Sequence, residues 1–197
     1  MIEIQNVAFH YAETTIFRDL TLQLENKTLI LGDNGSGKTT LLKLIARELR
    51  PDSGRISWNS KSAYRAMPFL DTSILFDHFT ILTHLKWISI DQKKDSSWLD
   101  ATIERFQLTP YLNQTPSMLS HGQRRWCAYA VSLSFDADIY LLDEPLNALD
   151  SFHRNRLKCL LETMTTPIII AEHEENRHFW GDAYRQVRLN PRDEFQS

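Results

Sequence analysis

The chain has 197 residues, 42% of them hydrophobic, and a formal net charge of -3 at pH 7. That length supports one compact domain over residues 1–197 with a real buried core. Nothing in the total charge calls for nucleic acid or an anionic membrane, so no nucleic-acid partner is expected, and pairs such as Lys93-Lys94 and Arg124-Arg125 read as solvated helix faces.

The amino terminus, Met1-Ile2-Glu3-Ile4, opens directly into strand-like alternation and lacks the basic and apolar regions of a signal peptide. The apolar runs Ile139-Tyr140-Leu141-Leu142 and Ile168-Ile169-Ile170-Ala171 are far shorter than the ~20 residues of a membrane-spanning helix, so any work at a membrane requires another chain to cross it. Cys127 and Cys159 have no spaced partners and read as thiols in a reducing, cytoplasmic setting.

Ile2, Ile4, Val7 and Phe9, then Leu20, Leu22 and Leu24, then Leu29-Ile30-Leu31, predict several strands joined by polar turns. The last of these runs into Gly32-Asp33-Asn34-Gly35-Ser36-Gly37-Lys38-Thr39, which satisfies G-x-x-x-x-G-K-[ST]. Leu41, Leu42, Leu44, Ile45 and Leu49 then recur at helical spacing until Pro51-Asp52-Ser53-Gly54 supplies a stop and a turn. Strand, glycine loop and helix in that order make a phosphate cradle. The glycines let backbone N–H groups turn inward, the helix points its positive end at the anion, and Lys38 adds a full charge. Gly32, Asn34, Gly35, Ser36, Gly37, Lys38, Thr39 and Thr40 are the expected nucleotide contacts, with the Thr39 hydroxyl on Mg²⁺.

From Leu70 to about Ser134 the pattern is mostly helical, with Ile81, Leu82, Leu85 and Ile88 on one face and Leu99, Ile103 and Phe106 on another. Alternating strand and helix follow, through Ile139–Leu142, Leu157, Leu160 and Leu161, and Ile168–Ala171, which points to a parallel sheet. The tail after Leu189 is polar and expected to fray. The strand Ile139–Leu142 ends in Asp143-Glu144, two carboxylates that a purely structural strand has no reason to place at its tip. Asp143 fits a direct or water-mediated Mg²⁺ partner, and Glu144 fits the group that polarises an attacking water.

Leu119-Ser120-His121-Gly122-Gln123 distinguishes this chain from other phosphate-loop proteins, because here the sequence resembles the ABC ATPases, whose signature reads L-S-G-G-Q. The resemblance extends in order over nearly the whole chain. Tyr11 stands where that family stacks an aromatic on adenine, Asn147-Ala148-Leu149-Asp150 matches its D-loop, and His173 matches its switch histidine. It implies an α/β fold: a P-loop NTPase core with a parallel sheet, an amino-terminal antiparallel β subdomain, and a helical signature subdomain at about residues 71–134. It implies Mg²⁺-dependent ATP hydrolysis with Glu144, His173 and Lys38 as catalytic groups. Two ATPs would be sandwiched head to tail between two such subunits, as a homodimer or heterodimer, with Ser120, Gly122, Gln123 and Asp150 completing the nucleotide site. Ser120, the Gly122 backbone and the following helix terminus would add donors worth about 1.5–3 kcal/mol for each charge-assisted bond.

Two departures from that family stand out. Its Mg²⁺-touching glutamine has no counterpart between Lys61 and Asp91, and alignment on Leu75-Phe76-Asp77-His78-Phe79-Thr80 puts Asp71 or Thr72 in its place, Asp71 being able to meet Mg²⁺ directly or through water. His121 replaces a glycine; a tolerated surface histidine is the plainer reading, and an effect of its charge on affinity near neutral pH is the other. His173-Glu174-Glu175-Asn176-Arg177-His178 is not a zinc motif, since the second imidazole is one residue off and turned by about 100° on a helix.

Trp58, Trp87, Trp98, Trp126 and Trp180 form no spaced set and read as core or partner contacts. Trp87, with Phe79 and Leu82, lies in the segment through which transporters of the family meet their transmembrane permease. The expected function is the ATP-hydrolysing subunit of a membrane transporter, peripheral on the cytoplasmic face. Short pieces such as Gly54-Arg55-Ile56-Ser57-Trp58 look like the haem-exporter ATPases of cytochrome c maturation, and the lack of a long carboxy-terminal extension tilts the reading towards an exporter. The alternatives are a soluble ABC ATPase remodelling a macromolecular complex in translation, iron-sulfur assembly or DNA repair, and a degenerate nucleotide-sensing partner in a heterodimer.

Overall fold

A computed structural model describes residues 1–59, 64–69 and 73–189. The chain divides into two compact units. One comprises Met1–Leu70, Ala137–Pro145 and Lys158–Ser197, and the other Asp71–Asp136 and Leu146–Leu157.

The first unit holds two sheets. Strands β1 (Ile2–Tyr11), β2 (Thr14–Leu24) and β4 (Ser53–Trp58) form an antiparallel sheet in the order β2-β1-β4. Strands β3 (Lys27–Leu31), β5 (Ala66–Phe69), β6 (Ile139–Asp143), β7 (Ile168–Glu172) and β8 (Arg185–Arg188) form a parallel sheet in the order β5-β6-β7-β3-β8. Helix α1 (Lys38–Ala46) contributes Leu41, Leu42, Leu44 and Ile45 to one core shared with both sheets, packed with Ile2, Ile4, Val7 and Phe9 from β1 and Ile30, Leu141 and Ile169 from the parallel strands. Strands β6 and β7 are buried at every position, which is why they read as unbroken apolar runs with no alternation. Truncating one of these side chains, Leu141 to alanine for instance, is expected to cost about 2–5 kcal/mol.

In β1 the buried positions shift from even (Ile2, Ile4) to odd (Val7, Phe9), with exposed Asn6 between them at φ 51°. Register shifts against both β2 and β4 mark a bulge there, and without the extra residue Val7 and Phe9 would face solvent. Gly54 on β4 sits beneath that bulge at φ 79°, where a Cβ would lie 2.3 Å from the Asn6 carbonyl oxygen.

The turn expected at Pro51–Gly54 ends earlier than the sequence suggested, since Ser53 and Gly54 already belong to β4. The edge strand β8, Arg185-Gln186-Val187-Arg188, had no apolar pattern to announce it; among the described residues it pairs with β3 on one side only and keeps exposed or half-exposed side chains.

The second unit is helical: α2 (Ile81–Asp91), α3 (Ser96–Phe106), α4 (His121–Ser132) and the first half of α5 (Ser151–Thr163). Side-chain caps start these helices: Thr80 Oγ1 accepts from Thr83 N at 3.2 Å for α2, and Asp95 Oδ1 accepts from Trp98 N at 2.9 Å for α3. Buried Trp126 of α4 packs on Phe106 and donates Nε1–H to the Phe106 carbonyl at 3.0 Å, so its one polar atom is satisfied. The short helix α6 (Arg177–Trp180) belongs to the first unit.

Candidate active site

The parallel register brings three strand ends to one edge. Leu31 of β3 pairs with Glu172 of β7, and Asp143 of β6 pairs with Ala171 of β7, so Gly32, Glu144 and His173 are each the first residue beyond its strand. Ligands of open parallel sheets bind at this carboxyl edge.

The loop Gly32 to Gly37 folds back tightly before α1. Ser36 N donates to the Asp33 carbonyl at 3.2 Å, and the first helical bond runs from Leu41 N to the Gly37 carbonyl at 2.8 Å. Gly37 has φ 93°, and a Cβ there would lie 2.8 Å from the Phe17 ring of β2, so only glycine fits between loop and sheet. Lys38 is 5% exposed, and its Nζ donates to the carbonyls of Gly32 at 2.6 Å and Asp33 at 3.0 Å. The cation is thus folded over the loop that it would share with a phosphate. Ser36 Oγ is buried with no hydrogen-bond partner among the described residues, and such an orphan suits a phosphate oxygen. Asn34, Gly35 and Thr39 are exposed, and Thr40 is buried in the first turn of α1. The first N–H groups of α1 have no intrahelical acceptors and complete an anion site.

Thr39 Oγ1 donates to Asp143 Oδ2 at 2.6 Å. A hydroxyl and a carboxylate oxygen in contact, one from the loop and one from the end of β6, are a hard-oxygen donor pair of the kind that Mg²⁺ takes. Glu144 adopts left-handed backbone at φ 45°, costly for a non-glycine residue and characteristic of functional turns. Its N–H continues the β6–β7 ladder by donating to the Ala171 carbonyl at 2.9 Å. Its Oε1 lies 2.9 Å from His173 Nε2, and both side chains are partly exposed. The carboxylate therefore faces both solvent and an imidazole that can fix its orientation.

Two further residues of this edge, Glu172 and Asn176, were not expected from the sequence. Glu172, the last residue of β7, is 1% exposed; its Oε2 accepts from His173 N at 3.2 Å and from Asn176 Nδ2 at 2.8 Å. A signal for it exists, for Ile168-Ile169-Ile170-Ala171-Glu172 is an apolar strand tipped by a carboxylate, as Ile139–Asp143 is.

Tyr11 ends β1 at 44% exposed, its ring perpendicular to that of Phe9 with centroids 4.9 Å apart. Ser120, Gly122, Gln123 and Asp150 belong to the second unit. Ser120 caps α4 in a reciprocal box: its Oγ accepts from Gln123 N at 3.3 Å, while Gln123 Oε1 accepts from Ser120 N at 3.0 Å. The Ser120 hydroxyl proton remains available to a ligand, whereas the Gln123 carbonyl is engaged within the turn. Gly122 lets the D-loop approach, since a Cβ would lie 3.0 Å from the Ala148 carbonyl oxygen. Asp150 caps α5, accepting from His153 N at 2.8 Å; that bond, with the His153 side chain, holds its carboxyl below the usual range. His121 is exposed in the first turn of α4. Asp71 and Thr72, expected in place of the missing glutamine, lie outside the described residues.

Three aromatic side chains of the second unit form a surface cluster. Phe79 and Trp87 meet at 4.5 Å and Phe76 and Trp87 at 6.2 Å, all three more than a third exposed. His84 supports them from beneath, with Nδ1 on the Thr80 carbonyl at 2.8 Å and Nε2 accepting from Phe76 N at 2.9 Å. Among the described residues no helix is long and apolar enough to cross a membrane.

Known proteins resemble this chain in sequence and in fold. The family described as ABC transporter matches residues 18–147. The chain is 34% identical over 168 residues to the thiamine import ATP-binding protein ThiQ of Histophilus somni, covering 80% of this chain and 78% of that protein. It is 31% identical over 193 residues to the sulfate/thiosulfate import ATP-binding protein CysA of Thermosynechococcus vestitus, with 88% and 57% covered, and 30% identical over 171 residues to the spermidine/putrescine import ATP-binding protein PotA of Chromobacterium violaceum, with 80% and 47% covered. The chain thus spans about half the length of the latter two. All three are named for import, so the tilt towards a haem or other exporter finds no support in them. Among solved structures, an ATP-binding subunit of an ABC transporter superposes with a TM-score of 0.81 at 20% identity, covering 97% of this chain and 86% of that one. A dimeric post-hydrolysis state of the ATP-binding cassette MJ0796 bound to ADP and Pi superposes with a TM-score of 0.80 at 21% identity, covering 97% and 95%. With phosphate loop, strand-tip carboxylates and signature turn all in family order, the chain belongs to the ABC transporter family as one of its ATP-binding cassettes.

Proposed function

We propose that this chain is the ATP-hydrolysing subunit of a membrane transporter, working as one half of a head-to-tail nucleotide sandwich. The observation that carries the reading is the Glu144–His173 contact at 2.9 Å, on the same sheet edge as the phosphate loop. Lys38 and the loop N–H groups hold the β- and γ-phosphates, and Ser36 Oγ supplies a further donor. Thr39 and Asp143 would hold Mg²⁺, and the ion would supply positive charge against the phosphates. Glu144 orients the attacking water and accepts its proton, and His173 Nε2 fixes the carboxylate while it does so. Ser120 and the α4 terminus of a second subunit close the site over the γ-phosphate, so that ATP binding drives association and hydrolysis releases it.

The names of the relatives support import over export, and in this reading a permease is the membrane-crossing partner and the cytoplasmic face the place of work. The exposed Phe76, Phe79 and Trp87 suit an apolar segment of that permease. Substrate selection belongs to the permease. Two measurements test the reading. Purified protein is expected to hydrolyse ATP only with Mg²⁺, and affinity purification from detergent-solubilised membranes is expected to recover an integral membrane chain. Recovery of ribosomes, iron-sulfur scaffold proteins or DNA would replace transport with complex remodelling.

A further inference from the structure

We propose that Glu172 is a positioning residue for hydrolysis, its buried carboxylate locking the turn that aims His173 at Glu144. The inference rests on the hydrolytic roles of Glu144 and His173 given above. It begins from a cost: Glu172 is 1% exposed at the end of an otherwise apolar strand, and burying a carboxylate is expensive unless hydrogen bonds or a charge partner compensate it.

Those bonds bracket His173. Glu172 Oε2 accepts from His173 N at 3.2 Å, fixing the peptide that enters the histidine, and from Asn176 Nδ2 at 2.8 Å, fixing the residue three positions beyond. Asn176 N in turn donates to the His173 carbonyl at 3.0 Å. The backbone is therefore held on both sides of His173, which itself stays extended at φ -80° and ψ 152°. The target is fixed independently, because the Glu144 N–H is bound to the Ala171 carbonyl at 2.9 Å on the same strand. One buried carboxylate thus sets one end of the His173–Glu144 contact while the sheet ladder sets the other. Loosening such a support by an ångström is enough to lower turnover without altering nucleotide affinity.

The test compares kcat and KM for ATP at saturating Mg²⁺ in Glu172→Ala, Glu172→Gln, Asn176→Ala, His173→Ala and the double variant Glu172→Ala/His173→Ala. Glu172→Ala is expected to lose about 10–100-fold in kcat with KM within about twofold, as for other supporting residues of catalytic groups. Glu172→Gln is expected to recover to within about threefold, because its amide oxygen accepts the same two donors. On the His173→Ala background the Glu172 substitution is expected to change kcat by less than about twofold, since its effect passes through the imidazole. A wild-type kcat in Glu172→Ala, losses that multiply in the double variant, or a Gln variant as slow as the Ala variant would each overturn the proposal. If Glu172→Ala does not fold, Asn176→Ala alone and combined with His173→Ala give the same comparison. Full activity in His173→Ala alone would instead remove the histidine from the hydrolytic reading, and the proposal with it.

Discussion

Thr39 and Asp143, 104 positions apart, meet through a 2.6 Å hydrogen bond between Oγ1 and Oδ2, joining the phosphate loop to the tip of β6. The pair sits where a divalent cation would be shared by the two oxygens, so each residue should govern Mg²⁺ dependence more than nucleotide recognition. Thr39→Ala is expected to raise the Mg²⁺ concentration for half-maximal ATP hydrolysis by about tenfold, and Asp143→Asn by at least as much. A Mg²⁺ titration of turnover checks this; unchanged half-saturation in both variants would exclude them as ligands.

The β1 bulge yields a prediction about stability alone. Gly54 holds φ 79° with the Asn6 and Gln5 carbonyl oxygens 2.3 Å and 2.5 Å from where a Cβ would stand. Gly54→Ala should therefore cost about 2 kcal/mol or more. Gly35→Ala, at φ 80° but with no described atom within 4 Å of where a Cβ would stand, should cost about 1 kcal/mol. Urea unfolding of the two variants measures the difference, and equal losses would contradict the steric argument.

His84 predicts an acid sensitivity of the helical unit. Burial lowers its pKa below the ordinary 6.5, outweighing the raising effect of its bond to the Thr80 carbonyl. The unfolded ring takes up a proton as pH falls through about 6.5 while the folded ring resists, so folding loses stability on acidification and the loss ends below the folded value. Protonation would also turn Nε2 from acceptor to donor against the Phe76 N–H at 2.9 Å. The stability gap between wild type and His84→Leu is expected to be wider at pH 7 than at pH 5, by urea unfolding at each pH. A gap independent of pH would remove His84 as the cause.

Much of the site was legible in the sequence because its chemistry is local. The phosphate loop needs glycines and a lysine at fixed spacing, and Asp143-Glu144 announces itself as charge at the end of an apolar strand. Family resemblance supplied His173, and the contact that gives it a task, the 2.9 Å approach to Glu144, depends on strand order that no local pattern encodes. Glu172 tips an apolar run as Asp143 does, yet only its burial and its bonds to His173 and Asn176, which no local pattern encodes, give it a role. Of the fold, the buried strands were plain from their apolar runs. The edge strand β8 was not, because an edge strand built of Arg185, Gln186, Val187 and Arg188 carries no periodic signal. The exporter tilt leaned on short motif likenesses and on the lack of a long carboxy-terminal extension, and longer alignments to import proteins did not bear it out.

The most direct test of an ATP-driven, Glu144-dependent sandwich is the oligomeric state of Glu144→Gln with saturating ATP and Mg²⁺, monitored by sedimentation velocity. The substitution keeps the shape of the side chain but removes the group that takes the proton from water, so nucleotide should bind and persist. The expected result is an ATP-dependent dimer that dissociates when ATP is removed, together with turnover reduced by about two orders of magnitude or more. A variant that stays monomeric under saturating ATP, or that hydrolyses ATP at the wild-type rate, would contradict it.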